Sequence, residues 1–240
     1  MGEWLGIAEK KVQGHSMLKL AIYDMDKTIT HAPTWTGFLV ATARGRAPWR
    51  LALLPLAGAA TGAYAAKLID RAQVKQWTQR LILGGAMDAA AARDAAARFA
   101  DHVVASGVFV GARAQIAADK AEGCRLVMAT ASYGFYAGAI AERLGFDVVI
   151  ATGVRHDADG RLLARIEGEN CYGPAKLRMI EAWMARDGLA RDQVHVRFYS
   201  DHVSDAPTFA WADEAVAVNA HGPLRALAKV KGWRIEDWER

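Results

Sequence analysis

The chain has 240 residues, 52% of them hydrophobic, and a formal net charge of +4. A chain of this size buries one sizeable core, with room for a smaller appended module, and it needs no staples to fold. The modest positive charge suits anionic small molecules or lipid headgroups; without a repeated Lys/Arg and aromatic pattern it gives little support to nucleic acid as a partner.

Residues 1–16 carry Glu3, Glu9, Lys10 and Lys11 and no long apolar run, so they read as an N-terminal extension and not as a secretory signal. Gly6 stands where a myristoylation signal wants Ser or Thr. Cys124 and Cys171 are the only cysteines, far apart and without metal-ligand spacing. They are expected to be packing residues in a reducing compartment, and a cytoplasmic location follows by default.

The first predicted element is an apolar strand over Leu18 to Tyr23, followed at once by Asp24-Met25-Asp26-Lys27-Thr28. Alternate residues at a strand end share a side, so Asp24 and Asp26 can both address a phosphate at the carboxyl edge of a sheet, one attacking and the other moving protons. From Thr30 to about Gly111 the pattern is helical, with alanine-rich stretches such as Ala89 to Ala100 and turn signals at Gly45 to Pro48 and at Gly84-Gly85. Four or five helices are expected there.

Within that block, Leu51 to Ala66 carries no charge. It is shorter than the roughly 20 apolar residues of a spanning helix and contains Pro55, Gly58 and Gly62, so a buried helix is the preferred reading. Trp49, Arg50, Lys67 and Arg71 on its flanks leave a peripheral contact with an anionic membrane surface open. The tryptophans at 35, 49 and 77 are read as packing residues, with Trp35 close enough to the first motif to line an entrance.

After Arg113 helices and strands alternate. Strands are predicted over Cys124–Thr130, Val148–Thr152, Val194–Tyr199 and Ala215–Val218, helices over Tyr133–Leu144 and Pro174–Arg186, and a hairpin around Asp159-Gly160. This alternation predicts an α/β fold, a parallel sheet with helices on both faces. The domains follow: a core from 17–32 and 112–240, interrupted by a helical module over 33–111.

Three further strand or helix ends carry polar groups. Thr130, with Ala131 next, closes a strand and can hold a phosphate oxygen. Lys176 stands at a helix start, where the macrodipole favours anions, an unexpected place for a cation unless an anion is near. Ser200-Asp201 and Asp205 follow another strand, and carboxylates from two strand ends can converge on a hard cation such as Mg²⁺. Each alone is an ordinary helix cap; the ordered combination is not. His31 and His202 lie near these motifs and are set aside as bystanders.

With these residues the chain resembles the haloacid dehalogenase (HAD) superfamily, subfamily IB, its phosphoserine-phosphatase-like branch. Asp24 to Thr28, Thr130, Lys176, and Ser200-Asp201 with Asp205 match its four motifs, and Asn170-Cys171 and Gly173 fit the same branch. The resemblance implies a Rossmann-like three-layer parallel-sheet core with an all-helical cap inserted after the first motif. It implies Asp24 as nucleophile and Asp26 as acid and base. Thr130, Ala131 and Lys176 would hold the phosphate. Mg²⁺ would be bound by Asp24, the Asp26 carbonyl and Asp201, with Thr28 and Asp205 in support. The implied reaction is hydrolysis of a phosphomonoester through an aspartyl-phosphate.

The phosphoserine branch places a glutamate early in the cap for the substrate ammonium, yet no acidic residue stands between Asp26 and Asp70. This favours an anionic or amphiphilic phosphomonoester, a lipid phosphate such as phosphatidylglycerophosphate included, over phosphoserine. An aspartyl-phosphate phosphotransferase and a non-catalytic anion- or membrane-binding module are the other readings.

Overall fold

Residues 17–239 are described by a computed structural model of the chain; the extension read at 1–16 lies outside them. The first strand, β1 (Leu18–Tyr23), is buried on both sides. Leu20 and Ile22 point into one apolar cluster and Ala21 and Tyr23 into another. A strand covered on both faces has no solvent side to make polar, which is why the sequence there runs continuously apolar.

The chain then forms α1 (Thr34–Arg46), a 3₁₀ turn (Pro48–Leu53), α2 (Leu54–Ala65), α3 (Arg71–Ile82), β2 (Ala86–Met87), α4 (Ala89–Ser106) and α5 (Val110–Ala121). The second half gives β3 (Arg125–Tyr133), α6 (Gly134–Leu144), β4 (Val148–His156), β5 (Leu162–Glu167), α7 (Pro174–Arg186), β6 (Val194–Ser200), α8 (Ala206–Trp211), β7 (Glu214–Val218), α9 (Gly222–Lys231) and β8 (Arg234–Glu236). The sheet order is β2-β5-β4-β3-β1-β6-β7-β8. β1 therefore lies between β3 and β6, the point where chain order reverses, and its carboxyl end opens into the crevice where α/β sheets bind ligands.

One helical layer, with α4, α5 and α6, covers Tyr23, Met128, Tyr133 and Tyr199. The other, with α7, α8 and α9, covers Leu20, Ile22, Val127 and Phe198. This is the expected three-layer α/β architecture.

The structure departs from the sequence reading in four places. First, the expected hairpin, with β5 antiparallel to β4, joins the parallel strands in one sheet, which β2 extends by pairing antiparallel to β5. The Asp157 carboxylate organises the hairpin between β4 and β5, accepting from the Asp159 and Arg161 amides at 3.0 and 2.9 Å. Second, β2 lies within the stretch read as all-helical; two residues joined by backbone pairing leave no side-chain period to detect. Third, α2 is not a buried helix, because it buries only Ala57 and Ala60. Its small residues reach α1 and α3 on one side, and among the described residues no layer covers the other. Fourth, Trp49 and Trp77 are 65% and 50% exposed, while Trp35 does pack, stacking on Tyr136 and meeting Tyr133 edge-on.

The 33–111 stretch also divides by packing. α1 to α3 share a small cluster of their own, with Leu39, Ala43, Ala57 and Ile82. α4 instead lays Ala92, Ala95, Ala96 and Phe99 into the main core beside Tyr136 and Ala137 of α6. Alanine faces on both helices allow that close approach. Among the described residues no helix is long and apolar enough to cross a membrane.

Asp119 on α5 ties the lower core together. Its carboxylate is fully buried and accepts from Tyr23, from Tyr199 at 2.9 Å and from Arg197. Asp119→Ala strands two buried hydroxyls, while Arg197 keeps Glu214, and should lower the unfolding free energy by about 3 kcal/mol in urea titrations.

Candidate active site

The Asp24 amide donates to the Tyr199 carbonyl at 2.9 Å, extending the β1–β6 ladder into the first motif. Met25 is buried, and its carbonyl accepts from the Ile29 and Thr30 amides at 2.9 and 3.0 Å. Lys27 takes a left-handed backbone (φ 63°) to make that tight reversal. The turn leaves Asp24 and Asp26 lining one cavity of about 180 Å³ at the carboxyl edge of the sheet.

Lys176 enters from the start of α7, where Gly173 adopts φ 60° and Pro174 occupies the first turn. Its buried ammonium donates to Asp24 Oδ1 at 2.8 Å and Asp205 Oδ2 at 2.6 Å. Burial alone would strip its proton; the two carboxylates overcome burial and hold the lysine firmly charged. Asp205 also accepts from Ser200 at 2.8 Å, and its other oxygen is buried without a partner among the described residues.

Asp24 ends up above the usual carboxylate range, because burial outweighs the attraction of Lys176. Burial pushes Asp201 to about 7, with the charge of Asp24 adding to it. Two crowded carboxylates with raised proton affinity are a pair that a divalent cation would relieve. The donor set of Asp24, Asp201 and the Asp26 carbonyl is all oxygen, as Mg²⁺ requires. Asp119, Glu122 and Cys124 also bring ligand atoms within 4.8 Å of one another, but Asp119 is committed to Tyr23, Tyr199 and Arg197. We assign no metal there.

Asp26 is held from both sides. Its Oδ1 accepts from the Thr34 amide at 2.8 Å and the Thr34 hydroxyl at 2.7 Å, and its Oδ2 from the Ser132 hydroxyl at 3.0 Å. β3 shifts register between Thr130 and Tyr133; Ala131, within the shift, lines this cavity, and Ser132 lines the space next to it. The Ser132 amide donates to Thr130 Oγ1 at 3.1 Å, which leaves the Thr130 hydroxyl proton free for another acceptor.

The expected residues Asp24, Asp26, Thr130, Ala131, Lys176, Asp201 and Asp205 all line this cavity. Thr28 lies behind Asp24, its hydroxyl 3.5 Å from Oδ2. His202 reaches the rim, stacked on His221, whereas His31 packs edge-on against Phe109 and does not line the cavity.

Sequence reasoning passed over Thr34, Ser132 and Lys75. Ser132, two residues beyond Thr130, was within reach of motif spacing; Lys75 had no signal, being one lysine on an ordinary helix. Lys75, buried on α3, donates to the Ala131 carbonyl and to Asn170 Oδ1 at 2.8 Å, and lies 3.4 Å from the Thr152 hydroxyl. Burial, aided by neighbouring Arg71, lowers its pKa to about 7.

Two outcomes follow. Asp24 and Asp201 bind protons more tightly in the fold than in the unfolded chain, so their contribution to stability is full in acid and is lost as pH rises toward about 7. In metal-free protein, the stability of the wild type relative to Asp201→Asn should therefore fall between about pH 5 and about pH 7, read from urea midpoints. Lys75→Met removes the donor to Ala131 and Asn170 and should cost about 2 kcal/mol of unfolding free energy, measured near neutral pH.

Comparison with known proteins agrees with this geometry. Residues 21–210 match the profile of the haloacid dehalogenase-like hydrolases. The chain is 32% identical over 203 residues to protein CicA of Caulobacter vibrioides, covering 84% of this chain and 86% of that one. It is 30% identical over 138 residues to phosphoserine phosphatase SerB1 of Mycobacterium tuberculosis, covering 58% of this chain and 44% of that relative, less than half its length. In fold it is similar to a Bordetella pertussis protein of unknown function, with a TM-score of 0.83 at 24% identity over 92% of this chain and 99% of the other. It is also similar to a phosphoserine phosphatase solved as a phospho-aspartyl intermediate analogue, with a TM-score of 0.63 at 18% identity over 94% and 95% of the two chains. The chain belongs to the haloacid dehalogenase-like hydrolases.

Proposed function

We propose that the chain is a Mg²⁺-dependent phosphomonoesterase working through an aspartyl-phosphate on Asp24. The observation that carries this reading is the asymmetry of that carboxylate. Asp24 lines the cavity; its Oδ1 is anchored by Lys176 at 2.8 Å, while Oδ2 has only the Thr28 hydroxyl, 3.5 Å away, and is left uncommitted. An oxygen so presented is placed for in-line attack.

Mg²⁺ held by Asp24, the Asp26 carbonyl and Asp201 would supply positive charge against the dianionic ester. Asp24 Oδ2 attacks phosphorus as the bond to the leaving alkoxide breaks, and Asp26 delivers a proton to that alkoxide. Lys176 and the Thr130 hydroxyl, with the Ala131 backbone, hold the non-bridging oxygens. In the second half, Asp26 takes a proton from water as the water oxygen attacks phosphorus. Phosphate leaves and Asp24 is restored. Thr34 and Ser132 keep Asp26 aimed in both steps, and Asp205 holds Lys176 in place.

A neighbouring cavity of about 290 Å³ supports an anionic or amphiphilic alcohol as leaving group. It shares Asp26, Pro33, Arg71 and Ala131 with the first and adds Trp35, Tyr64, Val74 and Lys75. Its charged side chains besides Asp26 are cations, and its walls are otherwise aromatic or aliphatic apart from Thr36 and Ser132. A lipid phosphate and a small anionic phosphomonoester both fit that description. Phosphoserine is the second reading: Arg71, held 4.3 Å over the Tyr172 ring, offers its carboxylate a partner, although no acid besides Asp26 meets its ammonium. The buried free thiols of Cys124 and Cys171 support a reducing, cytoplasmic setting.

The test is phosphate release with and without Mg²⁺ from p-nitrophenyl phosphate, phosphoserine, sugar phosphates and a dispersed lipid phosphate. Wild type should release phosphate only with the metal, and Asp24→Asn should fall to background. Asp26→Asn should lose about a hundredfold or more in kcat. Alcohol released faster than phosphate, with an added alcohol becoming phosphorylated, would instead identify a phosphotransferase. A folded, Mg²⁺-binding wild type that turns over none of these esters would overturn the reading.

A further inference from the structure

The outer surface of the α1–α3 unit differs from the rest of the molecule. Trp49, Leu56, Leu68 and Trp77 are 65%, 56%, 77% and 50% exposed, the two leucines at either end of a helix without a charged side chain. Large apolar groups gathered on one unit mark a contact surface. The Arg50 guanidinium lies 4.8 Å from the Trp49 ring and donates to the Leu81 carbonyl at 2.9 Å, which pins the Trp49 turn against the end of α3. Trp77 sits on α3 one turn before Arg80. An aromatic ring and a guanidinium thus meet at the Trp49 turn, and Trp77 and Arg80 recur on α3 of the same unit.

Charge says what covers it. From Thr34 to Ile82 there are seven lysines and arginines and one acid; Lys75 is buried and turned inward, and the other six against that one acid still exceed the +4 of the whole chain. That acid, Asp70, is tied to Gln73 in the cap of α3. A second copy of this chain would bring like charge against like charge. Aromatic rings and an uncharged helix flanked by cations suit the boundary between anionic headgroups and acyl chains, where a helix too short to span lies in the surface plane.

We propose that the outer surface of the α1–α3 unit docks on an anionic lipid bilayer. Tyr64 of α2 and Arg71 of α3 line the cavity beside Asp26, so docking brings the mouth of that cavity to the headgroup layer. The relevance of that placement to turnover rests on the phosphatase reading; the docking does not.

The experiment is flotation of the full chain with vesicles of phosphatidylcholine alone or enriched in phosphatidylglycerol, at low and high salt. Wild type should float with the anionic vesicles only, and salt should weaken the binding. Leu56→Glu combined with Leu68→Glu should bind at least about tenfold more weakly, with p-nitrophenyl phosphate hydrolysis and the thermal midpoint unchanged. Wild type left unbound by anionic vesicles overturns the proposal, as does a double variant that binds equally well. A dimer by sedimentation that the double variant dissociates, without flotation, reassigns the surface to a second copy. Asp24→Asn should float like wild type, which separates failure of docking from failure of the phosphatase reading.

Discussion

A single buried ammonium organises the carboxyl edge of the sheet. Lys176 lies between Asp24 and Asp205, and without it two carboxylates would face each other away from water. Its position is inherited from backbone events far apart in sequence: the left-handed Gly173 that starts α7, the crossover that places β6 beside β1, and the ladder bond from Asp24 to Tyr199. The charge balance stays incomplete. Asp201 retains a raised proton affinity after Lys176 has been counted, from burial first and from the charge of Asp24 second, and a cation bound between the two carboxylates would offset both.

Much of the fold was legible because its signals are local. A continuous apolar run followed by Asp-x-Asp locates β1 and the first motif together, and Pro174 sets the start of α7 where the sequence places it. What escaped was cooperative. β2 is two residues long and exists only because β5 is there to pair with it. The extension of β3 to Tyr133 depends on a register shift against β4 that no side-chain period encodes. Ser132, which donates to Asp26, lies within the same shift, so the least readable part of the sheet completes the most readable motif.

Leu51 to Ala66 shows a different limit. A run of alanine, glycine and leucine without charge is equally consistent with protein on both sides or with a non-aqueous neighbour on one. Side-chain size decides which, since Ala57 and Ala60 fill the shallow gap to the adjacent helices and leave the remainder outside. Composition reports that a surface avoids water and not what replaces the water. The surrounding cations, which outnumber the one acid of the α1–α3 unit, are the basis on which an anionic bilayer is proposed there.

The Lys75 tether has a kinetic corollary. Its ammonium grips the carbonyl of Ala131, in the end of β3 proposed to hold the phosphate, so the α1–α3 unit cannot swing away from the sheet without parting a charge-assisted bond. The grip tightens or slackens with a proton, because burial and Arg71 bring that lysine to about 7. If release of product through an opening lid limits the proposed reaction, that step would be an unlatching sensitive to ambient acidity, separate from the chemistry proposed for Asp24.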